Sequence, residues 1–308
     1  MPLFLNEHLE RPILDFIFRG NLLNLQPPTA LYFGLLDVNG VEITGTPGFP
    51  RVEQPCSYMN WRDFKGGTEA ISYTAPGTDR GYIVNLNSIR FPKPTFDFVA
   101  YGIAVYDAPT GGNMWFAEST PPYEGLTWHL FGPQLYGDEG FMIYLNTGDQ
   151  YSGPMSSYLT MMLGDFLFRG NAGNLQPPTN LYLGLMTAPA GGNISTATEV
   201  NGQYNGYVRQ QIPCTTESWK EISYFSQAQP EPVYGLENDI EIFFPEVTGN
   251  YGNVVAYGLW DAPTGGRLIW AAPLNNQVRV EYGDERPRVP RGNIQIFFDV
   301  NLAHVGST

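Results

Sequence analysis

The chain has 308 residues, room for two domains of roughly 150 each, and its 43% hydrophobic and 14% aromatic content excludes a disordered polymer. Sixteen Lys and Arg face 30 Asp and Glu, a net charge of -14; this excludes a nucleic-acid surface, which needs basic groups against phosphates, and docking on anionic lipid. Two cysteines, Cys56 and Cys214, exclude a disulfide scaffold. No stretch reaches the ~18 apolar residues of a membrane span, and the first residues lack the basic and apolar regions of a signal peptide, so the expectation is a soluble protein made inside a cell.

In chain order, the first predicted element is a short helix. Pro12 suits its first position, Ile13, Phe16 and Ile17 recur at helical spacing, Arg19 meets the negative end of the dipole, and Gly20 is the stop. Pro27-Pro28 forces extended backbone into Ala30 to Leu36, a short apolar run that reads as a strand. Trp61 follows in a polar, irregular stretch. Asp107-Ala108-Pro109-Thr110-Gly111-Gly112 lies between two apolar runs and reads as a hairpin loop. In it Asp107 can bond amides two residues on, Pro109 fixes φ, and Gly111 and Gly112 accept positive φ. Trp115 falls in the apolar run after it and belongs to the core; Trp128 lies in a more polar stretch.

Then the pattern begins again. Ser156 or Ser157 can cap a helix with Leu163, Phe166 and Leu167 on its stripe, Arg169 in its last turn and Gly170 as its stop. Pro177-Pro178 leads into a strand from Asn180 to Met186. Trp219, the hairpin Asp261 to Gly266 with Gly265 and Gly266, and Trp270 follow, and Ile294, Ile296 and Phe298 alternate as on a half-buried strand. Asp15 to Leu35 (DFIFRGNLLNLQPPTALYFGL) and Asp165 to Leu185 (DFLFRGNAGNLQPPTNLYLGL) agree at 16 of 21 positions, 150 residues apart. Tyr106 to Gly112 matches Trp260 to Gly266, Val99-Ala100-Tyr101-Gly102 matches Val255-Ala256-Tyr257-Gly258, and Arg51 pairs with Arg209. The chain therefore reads as two copies of one domain, residues 1–152 and 153–308, with the seam in Thr147 to Pro154. The period is too long for a solenoid, so each copy is expected to close its own core. The fold class is mainly β: two tandem antiparallel β-sandwich domains, each preceded by a short N-terminal α-helix. The cysteines occupy equivalent positions in the two copies and read as free, buried thiols.

Catalytic signals are poor. His8, His129 and His304 have no partners at ligand spacing, so neither a zinc site nor a triad is visible, and no cofactor, metal or catalytic residue is assigned. Asp107 and Asp261, and the duplicated Asp138-Glu139 and Asp284-Glu285, leave three readings open: turn-forming carboxylates, calcium ligands, or a glycosidase pair. The turn reading is preferred. Trp61, Trp128 and Trp219 are candidates for a protein interface, as are Arg286 and Arg288, whose charged loop has no counterpart in the first copy. Three lysines against 13 arginines, with many aromatics, suit a surface covered in an assembly.

These motifs carry a resemblance. Each copy runs helix, F-R-G, L-Y-x-G-L, an Arg, I-x-F-P, [YW]-D-A-P-T-G-G and a late G-D-E, as in Leu31-Tyr32, Leu181-Tyr182, Gly206-Tyr207-Val208-Arg209 and Gly258-Leu259-Trp260-Asp261-Ala262-Pro263-Thr264-Gly265-Gly266. This resembles a module of tailed-bacteriophage structural proteins, tail fibre or minor tail protein, twice over. The first copy departs at Phe49-Pro50-Arg51 and by two extra residues before Tyr106; Glu139 and Glu285 replace the family's Thr. The resemblance implies a non-enzymatic virion protein, assembled in the host cytoplasm and bound to other virion proteins. Its expected place is the tail, as fibre base, adaptor or baseplate, with capsid decoration second. A carbohydrate-binding module for host glycan comes third and a glycan-cleaving enzyme last. Duplication adds the expectation of a homo-oligomer, a trimer giving pseudo-sixfold contacts.

Overall fold

A computed structural model gives the structure of the chain and describes residues 2–5, 7–20, 26–44, 50–57, 59–64, 82–85, 89–92, 98–119, 126–128, 134–135, 142–144, 159, 162–163, 166–168, 176–189, 197–224 and 233–297. The expected seam, the caps at Ser156 and Ser157, the helix end at Arg169 and Gly170, and Phe298 lie outside them.

The chain is mainly β, with antiparallel sheets and an N-terminal helix. In the first half eight strands run in the order Val52–Pro55, Ala30–Leu36, Gly102–Tyr106, Met114–Ser119, Pro2–Leu5, Met142–Tyr144, Tyr82–Asn85, Trp61–Phe64. The strand Pro2–Leu5 makes the corner. Phe4 and Leu5 pair antiparallel with Ala117 and Phe116, while Pro2 and Leu3 pair parallel with Met142 and Ile143. So short a run carries no periodic signal, and the sequence reading did not find it. In the second half, Asn180–Thr187 pairs with Thr198–Glu199, Gln210–Pro213 and Gly252–Trp260, the last of which pairs with Leu268–Val280. A second sheet joins Trp219–Tyr224, Val233–Asn238 and Gln295–Phe297.

Ile294 and Ile296 are buried around an exposed Gln295, the expected alternation, whereas Leu181, Leu183, Leu185 and Met186 lie in a largely buried run. Pairing also corrects one of the sequence matches. Gly34 lies opposite Ala104 and Gly184 opposite Gly258, so Gly258 corresponds to Ala104 and not to Gly102. The two V-A-Y-G runs occupy different places in the ladder.

The helix spans Glu7–Arg19, so Pro12 stands inside it and not at its start. A proline there withholds one helical hydrogen bond. Burial compensates: Leu9, Ile13, Leu14, Phe16, Ile17 and Phe18 are all at most 2% exposed. Burial around so much of its girth marks a helix held between layers, not one lying on a surface. It packs against both Met114–Ser119 of the first half and Val233–Asn238 of the second. Residues 159, 162–163 and 166–168 are helical as well, with Leu163, Phe166 and Leu167 buried on the predicted stripe. One cluster of buried hydrophobics runs through both halves by way of these helices. The expectation of two separately closed cores fails there, because the apolar helix residues face both sets of sheets.

Polar contacts fix the first helix against the second half. Arg11 donates from Nη2 to both carboxylate oxygens of Glu221 at 2.8 and 2.9 Å, and Arg19 Nη1 donates to Glu221 Oε1 at 2.6 Å and to Asp15 Oδ1 at 3.0 Å. Burial alone would raise the Glu221 pKa; the hydrogen bonds from Arg19 and Arg11 outweigh it and hold the carboxyl below its ordinary 4.5. A folded-state pKa below the unfolded one adds stability above the unfolded pKa and loses it as pH falls through the folded value. Urea titrations should therefore show the wild type losing more stability than Glu221→Gln between about pH 5 and pH 3.

Candidate functional site

The two hairpins that the sequence singled out are built alike. In the first, Asp107 Oδ1 accepts the Asn113 N–H at 2.7 Å and Oδ2 accepts Asn113 Nδ2 at 3.1 Å; in the second, Asp261 Oδ1 accepts the Arg267 N–H at 2.6 Å. Each carboxylate thus closes the base of its loop six residues on, not two as expected. The chain must turn tightly to let it, and Gly111, Gly112, Gly265 and Gly266 take positive φ of 61°, 69°, 60° and 66°. A Cβ on Gly112 would also run into the Asp107 carboxylate and the Ala108 side chain. The tips, Pro109-Thr110 and Pro263-Thr264, are exposed.

Below each tip lies an arginine. Arg51 donates from Nε and Nη2 to the two oxygens of Glu42, both at 2.7 Å, while its Nη1 donates to the carbonyls of Ala108 and Gly111, both at 2.6 Å. Arg209 does the same with Glu199 and with the carbonyls of Ala262 and Gly265, all four at 2.7 Å. The guanidinium carbon lies 3.4 Å from the centroid of Tyr106 in one case and 4.2 Å from that of Trp260 in the other. Only arginine has a planar fork that can grip a carboxylate, reach two carbonyls and stack on a ring together. Its side chain is 6% exposed at Arg51 and 5% at Arg209.

The glycine of L-Y-x-G-L now has a reason. A Cβ on Gly34 would lie 3.0 Å from Tyr106 and 2.9 Å from Glu42 Oε1; one on Gly184 would lie 2.6 Å from both Trp260 and the Tyr207 hydroxyl. The second half adds Tyr207, whose hydroxyl donates to Glu199 Oε1 at 3.0 Å and accepts the Leu185 N–H at 2.9 Å. Burial, then the Glu199 charge, push this phenol far above its ordinary range. Burial and the Glu42 charge push Tyr106 up to about 12. Glu42 and Glu199 are the residues the sequence reading missed. Their signal was a glutamate nine residues before Arg51 and ten before Arg209, hidden because the two spacings differ. With its carboxylates and guanidinium engaged by the fold, each unit ties its loop to the strands beneath it.

The other candidates are dispersed. Trp61 and Trp219 are fully buried, which corrects their reading as contacts for an outside partner. Their polar flanks mark the ends of strands, while the indoles turn inward against Phe168 and Phe18. Trp128 lies on the strand Leu126–Trp128, its side chain outside the described residues. Arg286 lies over the Phe243 ring at 4.3 Å, and Arg288 Nη1 pairs with Glu241 at 3.2 Å. Asp284 Oδ2 accepts the Glu281 N–H at 2.7 Å within its own turn. Asp138-Glu139, His129, His304 and the His8 side chain lie outside the described residues. Cys56 and Cys214 are free, and burial pushes both thiols up to about 12.

Arg209→Ala should cost about 3 kcal/mol in urea unfolding, because it leaves Glu199 Oε2 and two carbonyls without their donor and Glu199 without its counter-charge. Arg209→Lys should recover only a small part, since an ammonium cannot reproduce the fork. At pH 8, Ellman's reagent should label both cysteines slowly in the folded protein and at once in denaturant.

Residues 154–297 match the family model described as Podophage GP4 fiber I protein gp80. No curated protein matches the chain. The matched span holds one complete clamp, Glu199, Arg209 and the hairpin Asp261 to Gly266, and the match supports a phage tail fibre module within a structural component of the virion.

Proposed function

We propose that the chain is a non-enzymatic structural part of a phage tail, a fibre base, adaptor or baseplate component built from two copies of one module. The observation that carries this reading is the match of residues 154–297 to a podophage fibre family. The clamped hairpins give it a physical basis. A loop fixed by Arg51 or Arg209 before it meets a partner loses little conformational freedom on binding. The exposed Pro-Thr tips of the two hairpins then contact neighbouring virion proteins, and assembly as a homotrimer would offer six such tips to a sixfold ring. Recognition of a host glycan remains the alternative role for the same surface.

Purified particles separated into heads and tails, each identified by mass spectrometry, test this directly. The chain should be in the tail fraction. Its presence in heads alone would make it a capsid decoration protein, and its absence from both would overturn the structural reading.

A further inference from the structure

We infer that the two halves are locked by a reciprocal exchange of helices: the sheets of each half form a seat for the helix that opens the other half, and each seat is filled within the chain by the F-[IL]-F-R-G end of that helix. The evidence is a set of contacts that repeats in both directions.

In one direction, Phe18 of the first helix packs edge-on against Trp219 of the second half, with centroids 4.9 Å apart, and against Trp270 at 6.4 Å. Arg19 Nε donates to the Trp219 carbonyl at 3.0 Å. Gly20, at φ 64°, brings the chain so near the Cys214 carbonyl that a Cβ would lie 3.1 Å from it. In the other direction, Phe168 packs against Trp61 of the first half at 4.8 Å and against Phe116 at 5.5 Å. The Cys56 thiol donates to the Leu167 carbonyl at 3.5 Å. These seats are equivalent by sequence. Each tryptophan stands five residues after its cysteine, and Phe116 and Trp270 each stand nine residues after the hairpin aspartate. Phe16 and Phe166 meet at 5.8 Å where the helices pass each other.

The chain path agrees. Gly20 lies at Cys214 of the second half, yet nine residues later the Thr29 carbonyl accepts the Cys56 N–H of the first half at 2.9 Å. The second crossing mirrors it. Leu167 lies at Cys56, and the Thr179 carbonyl accepts the Cys214 N–H at 2.9 Å. The end of each helix is therefore delivered into one half by a segment that starts the other, while the first helix also packs on Met114–Ser119 of its own half; this is a partial domain swap within a single chain. The segment joining the halves is not what holds them.

The test uses the full chain with a protease site inserted between residues 147 and 154. After complete cleavage, native mass spectrometry across a dilution series should find the two fragments together as a one-to-one complex. Phe18→Ala should raise their dissociation constant more than about tenfold, with Phe18→Leu between it and wild type. Arg11→Ala removes only the exposed tie to Glu221, leaves the core intact, and should raise the constant about two- to threefold. Wild-type fragments that separate on cleavage while keeping native circular dichroism would overturn the exchange. So would a Phe18→Ala chain that unfolds as one piece while cut Arg11→Ala binds as tightly as wild type.

Discussion

A guanidinium sealed under a hairpin is the constraint from which much of this structure follows. Once Arg51 and Arg209 are withdrawn from water, every donor must find an acceptor, because an unpaired buried charge costs several kcal/mol. A glutamate has to stand opposite the fork, two loop carbonyls have to converge on Nη1, and an aromatic ring has to cover the open face. That demand fixes the loop shape, the loop shape requires Gly111 and Gly112 at positive φ, and the ring requires a glycine beneath it at Gly34. The most conspicuous motifs of the sequence are parts of one electrostatic arrangement.

The clamp and the helices do different work. Each clamp is local, engaging strands and a loop of one half. The helices are global, since Phe18, Phe168 and their neighbours belong to a hydrophobic cluster that includes both sets of sheets. Aromatic packing of this kind has large area and defined geometry, so it can hold two sandwiches in one orientation. On the proposed reading, a part that presents two loops at a set distance gains from rigidity within each half only if the halves are also fixed to each other.

On the proposed reading, two clamped tips in one chain would form a bivalent ligand whose second contact gains from the first, and differences between the halves would suit different neighbours. Tyr106 covers one guanidinium and Trp260 the other, and Arg288 of the second half, which meets Glu241, has no matching arginine in the sequence of the first.

Much of this was legible in the sequence. The β class, the strands Ala30–Leu36 and Asn180–Thr187, and the glycine-rich hairpins follow from local rules of alternation and turn chemistry. Other features could not be read because they depend on partners far along the chain. Trp61 and Trp219 have polar neighbours and looked external, yet the fold turns them onto helices more than 100 residues away. Nothing local ties Glu42 and Glu199 to an arginine; the strands bring one to each. The short strand Pro2–Leu5 has no signal of its own and exists because two sheets leave an edge for it. The sequence by itself determined the β class, the glycine-rich hairpins and the apolar stripe of the helices, since backbone preference and periodicity are local. Only the tertiary structure decided which half each helix end would meet, because two helices that share the end D-F-[IL]-F-R face two equivalent aromatic seats far along the chain.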